Sequence, residues 1–203
     1  MIFVRSSNID EVILTFLVGE IDSDRFSTDL LVAMDKLGVD KELLLNPHLD
    51  SLVENELREK LLGEFRGYGK NDGLFENFPK VEECAVMLAS REDLDKIKYM
   101  NYSYWNELSS GTSSCLVAAE NIRNGLVVYD VSNEPFLKGV KMLENQKSFK
   151  PMILFTADYT NYVVLEGHSR LTIYGLKPEC FENVECFVIK CSENDLKKWN
   201  GQI

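Results

Sequence analysis

Residues 159–176 read YTNYVVLEGHSRLTIYGL. The run Tyr162-Val163-Val164-Leu165 is built from β-branched and aromatic residues and reads as a buried strand. It stops at Glu166-Gly167-His168-Ser169-Arg170. Leu171, Ile173, Tyr174 and Leu176 then follow at a spacing that suits a short helix folded back on the strand. The polar cluster therefore sits at a strand-to-helix turn. Gly167 permits a tight turn or the close approach of a ligand to backbone. The helix start behind it offers free N–H groups and the positive end of a dipole. Arg170 adds a forked cation that matches phosphate or carboxylate. Anion binding is the physical reading of this turn.

Outward from it, residues 150–155 read as a second strand and 157–161 as a hairpin loop joining the two. Upstream, 126–131 reads as a strand, Asn133-Glu134-Pro135 as a turn, and 136–145 as a helix with Leu137, Val140, Met142 and Leu143 inward. Downstream, Pro178 ends the helix, 184–189 is a strand and 193–199 a final helix. This alternation predicts an α+β fold with a small mixed sheet.

In order and motif, FLKGVKMLENQKSFKPMILF (136–155) followed by YVVLEGHSRLTIYGL (162–176) resembles the ParB/sulfiredoxin-like superfamily. Its members share a helix, a Pro-bearing strand, and a hairpin into a strand that ends in a G-x-x-R turn. The resemblance spans residues 120–199 and implies a nucleotide-phosphate site at the turn. On that reading Gly167, Ser169 and Arg170 hold phosphate, and His168 or Glu166 transfers protons. Mg²⁺ enters with a nucleoside di- or triphosphate, bridging phosphate oxygens more than protein carboxylates. Sulfiredoxins place Gly-Cys-His-Arg here, whereas this chain has Gly167-His168-Ser169-Arg170. Histidine stands where the thiolate nucleophile belongs, which argues against sulfiredoxin chemistry. The partitioning proteins carry two adjacent arginines, and this chain has one, so DNA clamping is not expected. A free-serine kinase needs a carboxylate in the first strand–turn region, where Glu134 lies.

Residues 1–108 are expected to be a mostly helical region, with helices over 9–19, 28–37, 40–45, 51–65, 79–88 and 91–100. Ser51 and Glu54 have capping-box spacing. Leu52, Val53, Leu57, Leu61, Leu62 and Phe65 are the expected core face of that helix. Arg66-Gly67-Tyr68-Gly69-Lys70-Asn71-Asp72-Gly73 reads either as a helix C-cap with turn residues or as a loop covering a ligand, and the cap is preferred. Glu20, Asp22 and Asp24 could hold a divalent cation, but lack the twelve-residue calcium-loop pattern, and N-capping is preferred. Asn101-Tyr102-Ser103-Tyr104-Trp105 forms an aromatic wall or simple core. The stretch Ser109-Ser110-Gly111-Thr112-Ser113-Ser114 marks the boundary of a second domain, 109–203. Ser110, Gly111 and Thr112 either cradle a phosphate or form a capped linker. No GK[ST] follows, so it is not a P-loop. Both this stretch and the 66–71 loop are expected to approach the Glu166–Arg170 turn.

The net charge of −11 disfavours nucleic acid, since a duplex-binding surface needs clustered Lys and Arg. No run is long and apolar enough to span a membrane, and no signal peptide is read at the start. Five cysteines, without a disulfide framework or CxxC spacing, point to a reducing cytoplasm and away from zinc. Two function classes remain. One is a nucleotide-dependent phosphotransferase or hydrolase. The other is a regulatory module that binds a nucleotide, another small anion or a protein partner without turnover.

Overall fold

The computed structural model describes residues 1–23 and 25–201. Its centre is built from the stretch quoted first. Strand β4 (Met152–Thr156) is buried along its whole length, and β5 (Tyr162–Glu166) at all but its last residue. Both are apolar on two faces, which a strand tolerates only when both faces of its sheet are covered. Met152, Leu154, Tyr162 and Val164 pack into one core, and Ile153, Phe155, Val163 and Leu165 into the other.

Four further strands complete one mixed sheet: β1 (Ile2–Ser7), β2 (Glu83–Ala89), β3 (Ile97–Lys98) and β6 (Val184–Lys190). The order across it is β1-β2-β6-β4-β5-β3. β4 runs parallel to β6, and β3 to β5; the other neighbours are antiparallel. Helices α1 (Ile9–Glu20), α2 (Ser27–Leu37), α3 (Glu42–Leu45), α4 (Leu52–Arg66) and α9 (Glu193–Asn200) supply one core. Helices α5 (Ser103–Leu108), α6 (Cys115–Arg123), α7 (Glu134–Glu144) and α8 (His168–Leu176) supply the other. No helix among the described residues is long and apolar enough to cross a membrane.

The α+β class holds, but the mostly helical reading of residues 1–108 is corrected. That half contributes β1, β2 and β3, so the sheet draws three strands from each side of residue 108. Residues 79–88 are not a helix. In β2, Cys84 and Val86 face one core while Ala85, Met87 and Ala89 face the other. With both faces apolar, the polar alternation that marks a half-exposed strand is missing. Residues 91–100 are a 3₁₀ turn (Arg91–Lys96) leading into β3. Residues 126–131 are not a strand. Val131 N–H donates to Val128 across Tyr129 and Asp130, whose φ angles are 51° and 57°, a tight turn with both central residues left-handed.

On α4, Leu61 and Leu62 are buried and Leu57 and Phe65 pack against the same core as expected, but the first turn of its face is corrected. Leu52 and Val53 are 77% and 69% exposed, and the buried side is Asn55, Arg58, Leu61 and Leu62. Arg58 is wholly buried. It donates to the carbonyls of Leu43 and His48, to Asn55 Oδ1 and to Glu54, tying α4 to α3 and the loop after it. Ser51 caps α4 as expected, accepting from Glu54 N–H, while the Glu54 carboxylate serves His48 and Arg58.

Candidate functional site

The turn after β5 is set by a bulge and a glycine. Leu154 pairs with Val164 but Ile153 with Glu166, so Leu165 is an extra residue that re-aims the end of the strand. Gly167 follows at φ 111°, ψ 20° and caps α8 without any side chain bonding to the helix. A methyl group at Gly167 would lie 2.8 Å from Met152 Cγ and 3.3 Å from Arg170 Nε, so both the conformation and the space require glycine. Leu171 N–H donates to the Gly167 carbonyl. Among the described residues nothing accepts from the amides of His168, Ser169 or Arg170. The first turn of α8 is braced from behind: Thr172 Oγ1 donates to the His168 carbonyl at 2.9 Å and lies 2.6 Å from the Tyr99 hydroxyl.

In front of this turn is a cavity of about 630 Å³. Glu166 to Arg170 form one wall. The end of α1 and the segment after it (Glu20, Asp22, Ser23, Arg25, Phe26), Arg66 at the end of α4, Tyr102, Trp105, Phe149 and Lys150 form the rest. Four of the described lining residues are cations and three are carboxylates, a local reversal of sign in a chain of net charge −11. The Arg66 loop and the Glu20 segment, each noted separately in the sequence, thus converge on the turn. The approach of Arg66 agrees with the expectation for its loop; that of the Glu20 segment has no sequence signal, because α1 and β5 are brought together only by packing. Asp24 lies outside the described residues.

The chemistry differs from the sequence expectation at each charged position. Arg170 donates to the carbonyls of Lys150, at 2.8 Å, and Pro151, and to the Glu166 carboxylate. Its guanidinium holds the strand entry and is not a free fork for an anion. Asp22 does not cap α2, whose N-cap is Phe26 without a side-chain bond; it pairs with Lys150 Nζ at 3.4 Å. Arg66 lies 3.8 Å above the Phe26 ring centroid, with Arg25 at 4.8 Å from the same centroid. Among the described residues its one ion pair is with Glu20, at 3.3 Å, and its buried Nε has no hydrogen-bond partner. Glu20 is 4% exposed. Burial, and then the charge of Glu166, push its carboxyl above the usual range against the pull of Arg66.

His168 is packed among rings. Trp105 stacks on it at 5.2 Å, and Tyr99 and Tyr102 both lie at 6.1 Å. Burial, aided by the charge of Arg170, pushes its pKa down to about 3. Its Nε2 accepts from Met100 N–H at 3.4 Å, which leaves the proton of the neutral ring on Nδ1. A ring held neutral does not donate as an imidazolium near pH 7, and His168 stands in the cavity wall as a half-buried imidazole. His48, by contrast, is exposed and bonded to Glu54.

The stretch 109–114 does not approach the turn. Gly111 and Thr112 line a different cavity, of about 730 Å³, with Lys98, Asn161 and Tyr162 at the opposite end of β5. Ser110 Oγ accepts from Asn121. Of the two readings of this stretch, the linker matches its place as a folded connection between α5 and α6, and any phosphate held at Gly111 and Thr112 would sit in this second cavity. Of the loop 66–71 only Arg66 lines the site, and Gly67, at φ 88°, is the C-cap of α4. Burial pushes the thiols of Cys115, Cys186 and Cys191 up to about 12 and that of Cys84 to about 11, which removes them as nucleophiles. Among the described residues no group of three or more His, Cys, Asp or Glu is placed to hold a metal.

Fold and site together define a mixed-sheet α+β protein with helices on both faces and a charged, aromatic-walled cavity at the end of one central strand. No family model, curated protein or solved structure matches the chain.

Proposed function

We propose that this chain binds a nucleotide, or a closely related phosphorylated small molecule, in the cavity at the Gly167 turn, and acts as a binding module. The observation that carries this reading is the uncapped first turn of α8 facing a cavity rich in guanidinium groups. Amides of a helix start favour phosphate through their free N–H groups and the helix dipole. Tyr102, 39% exposed, offers a face on which a planar base stacks. The order α7, Pro151, β4, hairpin, β5 and the Gly167–Arg170 turn supports the resemblance to the ParB/sulfiredoxin-like superfamily.

Binding is favoured over catalysis by the state of the two residues suggested for proton transfer. His168 is neutral, and the Glu166 carboxylate is tied to Arg170. Glu20 and Asp22 are paired with Arg66 and Lys150, so among the described residues Mg²⁺ is offered no cluster of free carboxylates here, and Mg²⁺ would arrive on phosphate oxygens. Thermal unfolding against a panel of nucleoside mono-, di- and triphosphates, with and without Mg²⁺, tests the reading. A ligand of the native state raises the midpoint by mass action. A rise with at least one nucleotide is expected, without phosphate release on incubation. Unchanged midpoints across the panel would overturn the reading, and steady phosphate release would replace the binding module with an enzyme.

A further inference from the structure

Resting on that reading, we infer that Arg66, flanked by Arg25, is the anion-binding group of the cavity, and that an incoming phosphate displaces the Glu20 carboxylate from it. Two of the cavity's cations are already engaged. Arg170 has two carbonyls and a carboxylate, and Lys150 has the Val18 carbonyl as well as Asp22. Among the described residues Arg66 has a single carboxylate contact at 3.3 Å, near the outer limit of a hydrogen bond, and an Nε buried without a partner. A buried donor left unsatisfied is costly, and a bidentate oxyanion satisfies it together with the Nη that now faces Glu20.

The guanidinium is held ready in its plane. Stacking over Phe26 at 3.8 Å orients it, and stacking leaves its edge free to hydrogen-bond. Arg25 approaches the same ring, so two guanidinium groups stand at one rim of the cavity. Glu20 is suited to release. It is buried, it faces the charge of Glu166 as well as Arg66, and Ser23 hydrogen-bonds to it. Burial and the charge of Glu166 raise its carboxyl above the usual range against the pull of Arg66 and Ser23, so on losing Arg66 it takes up a proton more readily than an exposed glutamate.

The test is titration calorimetry of the full chain with ATP, CTP and inorganic pyrophosphate, comparing wild type, Arg66→Gln and Glu20→Gln. A hydrogen bond to a charged group is worth about 1.5–3 kcal/mol, which corresponds to a loss of roughly tenfold to a hundredfold for Arg66→Gln. Glu20→Gln removes the competing charge while keeping the shape, and is expected to tighten binding by a few-fold. That gain is the decisive arm, because a merely structural Glu20 gives a loss, and it remains readable if Arg66→Gln does not fold. Wild-type binding that survives Arg66→Gln, or that weakens in Glu20→Gln, overturns this assignment alone. No binding of any probe by wild type overturns the nucleotide reading and this assignment together.

Discussion

Replacing Gly167 by alanine isolates what the site demands of its turn. At φ 111° an L-residue carries a penalty of about 1–2 kcal/mol for the left-handed backbone. The added methyl also meets Met152 Cγ at 2.8 Å and Met152 Cβ at 3.2 Å, in a strand that is buried throughout. Overpacking of this kind costs about 1–3 kcal/mol. Gly38 provides the control: it has φ 66° and nothing within 4 Å of a built Cβ. Gly38→Ala should therefore lose about 1 kcal/mol, from backbone alone, and Gly167→Ala about 3 kcal/mol, from backbone and packing. In a chain of this length the larger loss lowers the thermal midpoint by roughly 6–12 °C. Guanidinium denaturation of the three proteins, fitted with a common slope, measures both losses. Equal losses in the two variants would refute the packing argument and, with it, the placement of the α8 start against Met152.

Three other outcomes follow from the same geometry. Arg58→Met leaves the carbonyls of Leu43 and His48 and the Asn55 side chain without their donor, and should cost about 3–5 kcal/mol in denaturant unfolding; a loss under 1 kcal/mol would contradict the buried network. Gly175→Ala places a methyl 2.5 Å from the Cys115 carbonyl oxygen where α8 crosses α6, and should destabilise by about 1–3 kcal/mol, with no loss counting against that crossing. His168 has a folded pKa of about 3, below the value near 6.5 expected in the unfolded chain, so the unfolded state binds the extra proton as pH falls. Stability should then drop between about pH 6.5 and 3 with a slope approaching 1.4 kcal/mol per pH unit, a component that His168→Phe removes. An imidazole titrating near 6.5 by NMR would contradict the packing of this half-buried ring against Tyr99, Tyr102 and Trp105.

The parts of the fold legible in the sequence are those with one-sided or short-range signals. The hairpin from β4 to β5, the glycine turn, the Ser51 cap and the amphipathic runs of α1 and α2 each announce themselves within a few residues. The face of α7 is corrected: Leu137 and Met142, expected inward, are exposed, and the buried side is Phe136, Gly139 and Leu143. What misled were segments whose pattern depends on distant partners. Strand β2 is apolar on both faces because helices cover both, which erases the period that distinguishes strand from helix. The face of α4 was obscured by Arg58, whose charge reads as solvent-facing until carbonyls of another segment receive it. At the site, the Gly167 turn was visible, while the exchange of roles between Arg170 and Arg66 was not. Only the positions of Lys150, Pro151 and Glu20 in space show which guanidinium is already bound.

The most direct test of the central claim is a residue-resolved one. Amide ¹H–¹⁵N spectra of the labelled chain, recorded while ATP is added, report which backbone groups meet the phosphate. The account predicts the largest shifts at His168, Ser169 and Arg170, with the Arg66 Nε–H signal moving in step. Shifts centred on Gly111, Thr112 and Asn161, at the other end of β5, or no shifts at saturating ATP, would contradict it.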